Sequence, residues 1–224
     1  MIFLNSNSPA ECARILAERI GSFLAQDKKV LWLLSGGSNI NISVLTLDIL
    51  KEHFPLKLKT NLAVSLVDER YGPVGHPDSN WQQLLEADFS LDEIISEPVL
   101  TGLSLEETVK NFSENYKRIS TWADVVIGQM GIGLDGHTAG ILPESPAVTE
   151  SGIACSYEAL KYTRISLTLT TIKSINASYA FLIGSTKKLV IYYLRSRDFP
   201  YAEMPAQVLK DIPESYVYSV EATD

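Results

Sequence analysis

The residues of this chain best suited to acid–base chemistry are Asp135 and His137, two positions apart in the stretch MGIGLDGHTAGILPE (130–144). The chain has only 3 histidines, and histidine is the usual general base near neutral pH. Two such side chains on a turning loop can face one cavity, where the carboxylate orients the imidazole and stabilises its charged form. We therefore expect His137 to act as a base with Asp135 as its partner. The alternative is a structural histidine bonded to the loop backbone.

The same stretch formally matches the dinucleotide pattern G-x-G-x-x-G at Gly131, Gly133 and Gly136. That pattern normally belongs to the first βα unit and leads into a helix, whereas here a histidine follows the third glycine. We therefore expect no dinucleotide. Cys12 and Cys155 have neither a CxxC partner nor metal-ligand spacing. They are expected to be small core residues, and we expect no metal or other cofactor.

The stretch SGGSN (35–39) follows an apolar run and precedes a predicted helix. Glycines allow backbone N–H groups to turn toward an anion, and the start of a helix adds a favourable dipole. Phosphate is the natural ligand for Gly36, Gly37 and Ser38, although the stretch lacks the GK[ST] of a Walker motif. A plain glycine turn with a serine cap is the alternative.

Basic residues near other strand boundaries could complete an anion site. Arg70 of the stretch DER could bind an oxyanion with two hydrogen bonds while Asp68 or Glu69 holds the guanidinium in place. Lys187 of GSTK lies at a predicted helix start, where its charge opposes the helix dipole unless an anion is present. Arg164 could reach the same region. The alternatives are a surface ion-pair cluster for DER, an ordinary surface role for Lys187 and a solvated side chain for Arg164.

The elements that must position these loops alternate between short β-rich runs and helical patterns, which indicates an α/β fold. SPAE (8–11) predicts a capping box at a helix start. We expect one domain over residues 1–224, Rossmann-like, with a mostly parallel sheet flanked by helices on both faces. Ligands of such sheets bind beyond the carboxyl ends of the strands. The predicted strands are VLWLLS, LAVSLVD, ADVVIGQM, RISLTLTTI, SYAFLIG and SYVYSV.

Composition limits the possible partners of this 224-residue chain. Its formal net charge of −8 argues against nucleic acid, because phosphate backbones are bound through clustered Lys and Arg. The apolar run near the start is too short to span a bilayer and lacks a small-residue cleavage site. We therefore expect a cytoplasmic protein that binds neither nucleic acid nor membrane.

Taken together, these loops resemble the 6-phosphogluconolactonases, in a wider fold group that also holds the glucosamine-6-phosphate deaminases. The motifs occur in the order that the family has and extend over nearly the whole chain. The stretches that carry the resemblance are LSGGS (34–38), VDERYGPVGHPDSN (67–80), GIGLDGHTAGILPESP (131–146), RISLTLTTI (164–172), FLIGSTKK (181–188) and MPAQVL (204–209).

The resemblance implies hydrolysis of 6-phospho-D-glucono-1,5-lactone, a small sugar-phosphate lactone of the pentose phosphate pathway, with no metal or organic cofactor. It implies that His137 activates water, with Asp135 as its partner. Arg70 and Lys187 match residues that hold the phosphate or the developing charge, and Arg164 is similar to a phosphate-contacting arginine of the deaminase branch. Gly36, Gly37 and Ser38 match the glycine loop on the phosphate side.

The chain departs from the family's usual pattern at two places. Asn39 and Ile40 stand where the first loop usually continues with Thr-Pro, so a hydroxyl and a helix-starting proline are missing. Gly140 stands within AGILP where ASLFP is usual, and we expect it to relax the loop. Two alternative functions remain: a glucosamine-6-phosphate deaminase, whose branch typically has DEY or DEF and GHIAFNEP, and a catalytically silent sugar-phosphate-binding protein.

Overall fold

The computed structural model describes residues 1–92 and 94–220. Its strands are β1 (Ile2–Ser6), β2 (Val30–Leu34), β3 (Leu62–Leu66), β4 (Asp68–Arg70), β5 (Ile95–Glu97), β6 (Val125–Met130), β7 (Ala154–Glu158), β8 (Thr163–Leu167), β9 (Ala177–Ile183) and β10 (Glu214–Val220). Its α-helices are α1 (Pro9–Leu24), α2 (Ile40–His53), α3 (Pro55–Asn61), α4 (Asn80–Glu86), α5 (Leu105–Trp122), α6 (Leu169–Ile172) and α7 (Lys188–Ser196). Short 3₁₀ helices lie at Gly37–Asn39, Pro146–Thr149, Ser185–Lys187 and Pro205–Asp211.

Seven strands form one parallel sheet in the order β1-β10-β9-β6-β2-β3-β5. Every residue of β2, β3 and β6 is buried, which requires cover on both faces of the sheet because successive side chains point to opposite sides. The predicted fold class is therefore confirmed: a mostly parallel central sheet flanked by helices.

The direction in which the chain crosses the sheet reverses between β2 and β6. From β2 the chain proceeds to β3 and β5 on one side, whereas β6 is followed by β9 and β10 on the other side. The loops that leave β2 and β6 therefore diverge and open a crevice at the carboxyl end of the sheet. In open α/β sheets this is where ligands bind.

A second sheet, with the order β4-β8-β7, is antiparallel and was not predicted from the sequence. The predicted strand LAVSLVD is divided, because β3 ends at Leu66 and Asp68 begins β4. The predicted strand RISLTLTTI ends at Leu167, where the Thr168 hydroxyl caps α6 by accepting from the Thr171 N–H. Alternating apolar and threonine residues suit a strand, but this local cap terminates it.

The helix starts agree with the capping signals in most respects. At α5, Ser104 and Glu107 form both bonds of a capping box. At α1, the Ser8 hydroxyl accepts from the Glu11 N–H as expected, but the Glu11 carboxylate accepts from the Asn7 N–H at 2.8 Å. The reciprocal half of the predicted box is therefore displaced by one residue.

The buried apolar side chains form one contiguous core that includes Cys12 and Cys155, both free thiols, as expected for small core residues. Burial raises the pKa of both thiols.

The predicted domain extends to residue 224 and therefore includes residues 221–224, which lie outside the described part of the chain. No helix among the described residues has the length and apolar character needed to cross a membrane.

Candidate active site

A cavity of about 250 Å³ lies at the reversal point, beyond the carboxyl ends of β2 and β6. It contains all but one of the site residues expected from the sequence. Those residues are Gly36, Gly37, Ser38, Asp68, Arg70, His137, Arg164 and Lys187. The exception, Asp135, contacts His137 from outside this cavity and lines a neighbouring one. Five separate segments of the chain thus meet at one place.

The Asp135 and His137 side chains form the expected pair. His137 Nδ1 lies 2.7 Å from Asp135 Oδ1, and the His137 backbone N–H donates to the same oxygen at 3.2 Å. An ionised carboxylate only accepts hydrogen bonds, so the ring proton must be on Nδ1. Nε2 of the neutral ring is therefore left free to take a proton.

The electrostatics of this pair favour an ionised carboxylate. The hydrogen bond from His137 lowers the pKa of Asp135 to about 2, against the opposing effect of partial burial. At neutral pH Asp135 is thus a fixed negative charge beside the imidazole. This charge stabilises the imidazolium that forms when His137 accepts a proton.

Glycine at position 133 is a steric requirement of the pair. A Cβ built on Gly133 would lie 2.1 Å from His137 Nδ1 and 2.4 Å from Asp135 Oδ1. The backbone closes on itself here, because the Gly133 N–H donates to the His137 carbonyl at 2.9 Å and Ile132 pairs with Thr138. Glycine stands at position 133 because the paired side chains occupy the space that a side chain there would need.

Arg70 and Arg164 lie directly opposite each other on the antiparallel strands β4 and β8. Like charges at opposed positions destabilise a sheet. Both Nε atoms are buried without a hydrogen-bond partner among the described residues. Two guanidinium groups facing one cavity with unused donors form a site suited to an anion.

Contrary to expectation, neither acidic side chain of DER forms a hydrogen bond or ion pair with the Arg70 guanidinium in the part of the chain that the structure describes. Glu69 is fully buried and binds backbone instead, accepting from the N–H groups of Arg70, Asn80 and Trp81 at 2.7 to 3.0 Å. Asp68 is only 5% exposed, and its Oδ2 lies 4.0 Å from Arg164 Nη1. Burial raises the pKa of Asp68, and the charges of the two arginines oppose that shift.

The glycine loop after β2 has the geometry of an anion-binding turn. Gly37 has φ of +66° and begins a 3₁₀ helix, so the N–H groups of Gly37 and Ser38 have no partner within that helix. Gly36 cannot carry a side chain, since its Cβ would lie 1.9 Å from Asn80 Oδ1. This loop therefore packs directly against the start of α4.

Lys187 reaches the cavity from the 3₁₀ turn that precedes α7. Its Nζ donates to the Ile132 carbonyl at 2.5 Å, which ties this side chain to the loop that carries the Asp135–His137 pair. Burial lowers the pKa of Lys187, and the Asp135 charge opposes that shift.

Sequence reasoning missed two asparagines that line the cavity. Asn80 belongs to the stretch HPDSN, which resembles an ordinary loop and helix cap. In the structure the Asn80 Nδ2 donates to the Asp68 carbonyl at 2.9 Å, and the Asn80 Oδ1 is buried without a partner among the described residues. Asn39 ends the predicted anion loop SGGSN and departs from the family's usual residue, but it was given no role; it is 2% exposed, and its Oδ1 is likewise buried without a partner among the described residues.

Gly140 lies where the loop after β6 approaches the second sheet, and its effect on the loop stays a prediction. A Cβ at this position would lie 3.0 Å from Ser166 Cβ and 3.2 Å from Asp68 Cβ, and the Gly140 N–H donates to Ser166 Oγ at 3.1 Å. A side chain at position 140 would therefore require Ser166 or Asp68 to move by a few tenths of an ångström. Among residues 1–92 and 94–220, no three His, Cys, Asp or Glu side chains cluster in a way that could hold a metal ion.

A comparison with protein families identifies the architecture. The family described as glucosamine-6-phosphate isomerases/6-phosphogluconolactonase matches residues 5–217. The chain belongs to this family. The candidate site of this chain lies at the reversal point of the sheet. Both activities in the family's description concern sugar phosphates.

Relatives and solved structures from the glucosamine-6-phosphate isomerase/6-phosphogluconolactonase family agree with this assignment. A 6-phosphogluconolactonase of Pseudomonas aeruginosa is 34% identical over 151 residues, which are 63% of this chain and 59% of that protein. One from Helicobacter pylori (strain 26695) is 24% identical over 213 residues, covering 89% and 88% of the two chains. The crystal structure of a 6-phosphogluconolactonase from Shewanella baltica has a TM-score of 0.80 at 20% identity, covering 99% of this chain and 98% of that one. At that identity the structure supports the fold alone.

Proposed function

We propose that this protein hydrolyses 6-phospho-D-glucono-1,5-lactone to 6-phosphogluconate. Relatives named 6-phosphogluconolactonase support the activity. The observation that carries it is the presence in one cavity of a histidine whose tautomer suits a base and of two opposed arginines with unused donors. A phosphorylated ester is a substrate that uses both features.

The proposed chemistry begins with a water molecule beside His137. Nε2 accepts a proton from that water, and the resulting hydroxide attacks the lactone carbonyl carbon. The negative charge that develops on the carbonyl oxygen is stabilised by a nearby positive group, a role that Lys187 can fill. Collapse of this intermediate breaks the ring ester bond, and the imidazolium returns the proton to the departing ring oxygen. Asp135 positions the imidazole throughout.

Arg70, Arg164 and the glycine loop are proposed to hold the phosphate. A phosphate dianion between the two guanidinium groups would remove their mutual repulsion and satisfy their free N–H donors. The N–H groups of Gly37 and Ser38 supply further donors at a helix start. Binding energy from this remote group then holds the lactone carbonyl near His137.

The test is the rate of acid release from freshly generated phosphogluconolactone, after subtraction of spontaneous hydrolysis. His137→Asn should lower kcat by at least about tenfold, because general-base catalysis typically contributes about 10² to 10⁴. The control is His53→Asn, which changes an exposed histidine at the end of α2 and should leave kcat unchanged. Equal turnover by wild type and His137→Asn would remove the base from this mechanism.

The same preparation separates the two alternatives. Ammonia release from glucosamine 6-phosphate would indicate the deaminase activity. Binding of 6-phosphogluconate without any acceleration of lactone loss would indicate a silent binding protein. The hydrogen bond between Asp135 and His137 favours hydrolysis over silent binding, because a protein that only binds a sugar phosphate needs neither a base nor a partner for that base.

The cellular setting is part of this proposal. No step of the mechanism requires a metal or an organic cofactor, and the substrate is the small-molecule partner. We place the protein in the cytoplasm, in agreement with two buried free cysteines, since disulfides are rare in that reducing compartment.

A further inference from the structure

Tyr162 lies in the turn between β7 and β8, beside Arg70 of the cavity, and no role in the reaction has been assigned to it above. Its ring centroid is 5.6 Å from Arg70 Cζ, within the range of a cation–π contact. Its hydroxyl donates to Asp78 Oδ1 at 2.8 Å. Tyr162 thus contacts Arg70 and also a second residue that itself holds Arg70.

Asp78 connects the two side chains. The Asp78 carbonyl accepts from Arg70 Nη1 at 2.8 Å, and its carboxylate accepts from the tyrosine hydroxyl. His76 fixes the backbone at the same place, because its Nε2 lies 2.9 Å from the Arg70 carbonyl. Among the described residues, the Arg70 guanidinium donates one hydrogen bond, from Nη1 to the Asp78 carbonyl. This bond and the contact with the Tyr162 ring therefore determine the direction of the guanidinium.

We propose that Tyr162 is a positioning residue of the anion site, which holds the Arg70 guanidinium toward the substrate phosphate through its ring and through Asp78. The proposal rests on the proposed function in that it concerns the same anionic substrate. It adds a residue that none of the motifs of the family resemblance contains and that does not line the cavity.

Such a support is needed because Arg70 lies opposite Arg164. Repulsion between like charges at opposed positions disfavours this arrangement when no anion is bound, and a free arginine side chain has many rotamers. A tyrosine ring within cation–π range of the guanidinium and an accepting carbonyl limit both effects before the anion arrives. Pre-organisation of this kind increases affinity by reducing the cost of ordering the site.

The experiment measures inorganic phosphate binding by calorimetry with the full chain. Tyr162→Leu should weaken phosphate binding about fivefold, the scale of one cation–π contact. Tyr162→Phe keeps the ring but loses the bond to Asp78, and should fall between Leu and wild type. The matched control is Tyr201, whose hydroxyl also bonds an aspartate, Asp211, and which does not line the cavity. Tyr201→Phe should bind phosphate as wild type does.

A double-mutant cycle with Arg70→Met distinguishes positioning from general damage. If Tyr162 acts through Arg70, Tyr162→Leu has no further effect on the phosphate Kd once Arg70 is absent. The proposal would be overturned if Tyr162→Leu reduced phosphate affinity equally with and without Arg70. It would also be overturned if Tyr162→Leu bound phosphate within about 1.5-fold of wild type, or if the wild type did not bind phosphate. The lactone assay is separate, so Tyr162-dependent phosphate binding without lactone hydrolysis would refute the proposed function and leave this inference standing.

Discussion

Substitution of Gly133 by alanine tests whether the geometry of the Asp135–His137 pair, rather than its chemistry alone, supports turnover. The added Cβ would lie 2.1 Å from His137 Nδ1, 2.3 Å from its Cε1 and 2.4 Å from Asp135 Oδ1. Gly133 is not among the residues with positive φ, so alanine meets no backbone strain there. The effect of the substitution is therefore confined to the pair.

The size of the effect follows from these distances. Ordinary contact begins near 3.4 Å, so the imidazole must move by about 1.3 Å away from the new methyl group. A displacement of about 1 Å can reduce the rate about 10²-fold, which corresponds to about 2.7 kcal/mol in the activation free energy. The phosphate site is formed by other segments and should keep its affinity. We therefore expect kcat to fall about 10²-fold with little change in phosphate Kd.

The assay compares kcat for lactone hydrolysis, phosphate Kd and Tm in Gly133→Ala and in Gly152→Ala. Gly152 also lacks positive φ, and its Cβ would find only Ala154 O at 3.5 Å, so this control should behave as wild type. A folded Gly133→Ala protein with kcat within about threefold of wild type would refute the steric argument. A large drop in both kcat and phosphate affinity would also refute it, because the change would not be local.

Two further predictions concern charges at the site. The pKa of Asp135 is about 2 in the folded protein, below the ordinary value of about 3.9. The pairing of Asp135 with His137 therefore stabilises the folded state above about pH 4, and this stabilisation is lost as pH falls toward 2. The difference in unfolding free energy between wild type and Asp135→Asn, followed by urea titration, should therefore shrink as pH falls from about 4 toward 2. A difference that grows over this range would contradict the prediction. Arg164→Met should raise KM for the lactone about tenfold or more with a smaller change in kcat, because its contact is made in both ground and transition states; a change confined to kcat would exclude a phosphate role.

Much of the site could be predicted because its chemistry is local in sequence. Asp135 and His137 are two residues apart, so their pairing needs only a turn. The loops after β2 and β6 could be placed at one edge because all strands of a parallel sheet end on the same side. Motif spacing and strand alternation are enough for inferences of this kind.

The arginine pair could not be predicted in the same way. Arg70 and Arg164 are neighbours only because β4 and β8 pair antiparallel in one particular register. The short strand β4 has three residues, too few for a periodicity to be read from the sequence. The close contact of Gly140 with Ser166 could not be predicted for a related reason, because Ser166 lies on a strand of this second sheet. Contacts between distant segments depend on tertiary packing, which no local pattern contains.

The charges that the two sheets bring together explain why the site tolerates a like-charge pair. Arg70, Arg164 and Lys187 place three positive charges in the cavity, and Asp68 adds one negative charge 4.0 Å from Arg164. Apart from the base, the cavity therefore carries a net charge of about +2 when these groups are ionised, which matches a phosphate dianion. Full neutralisation by further carboxylates would stabilise the empty protein and remove its attraction for phosphate. When ionised, Asp68 offsets part of the repulsion between the two arginines, and the remaining positive charge is available to an anionic ligand.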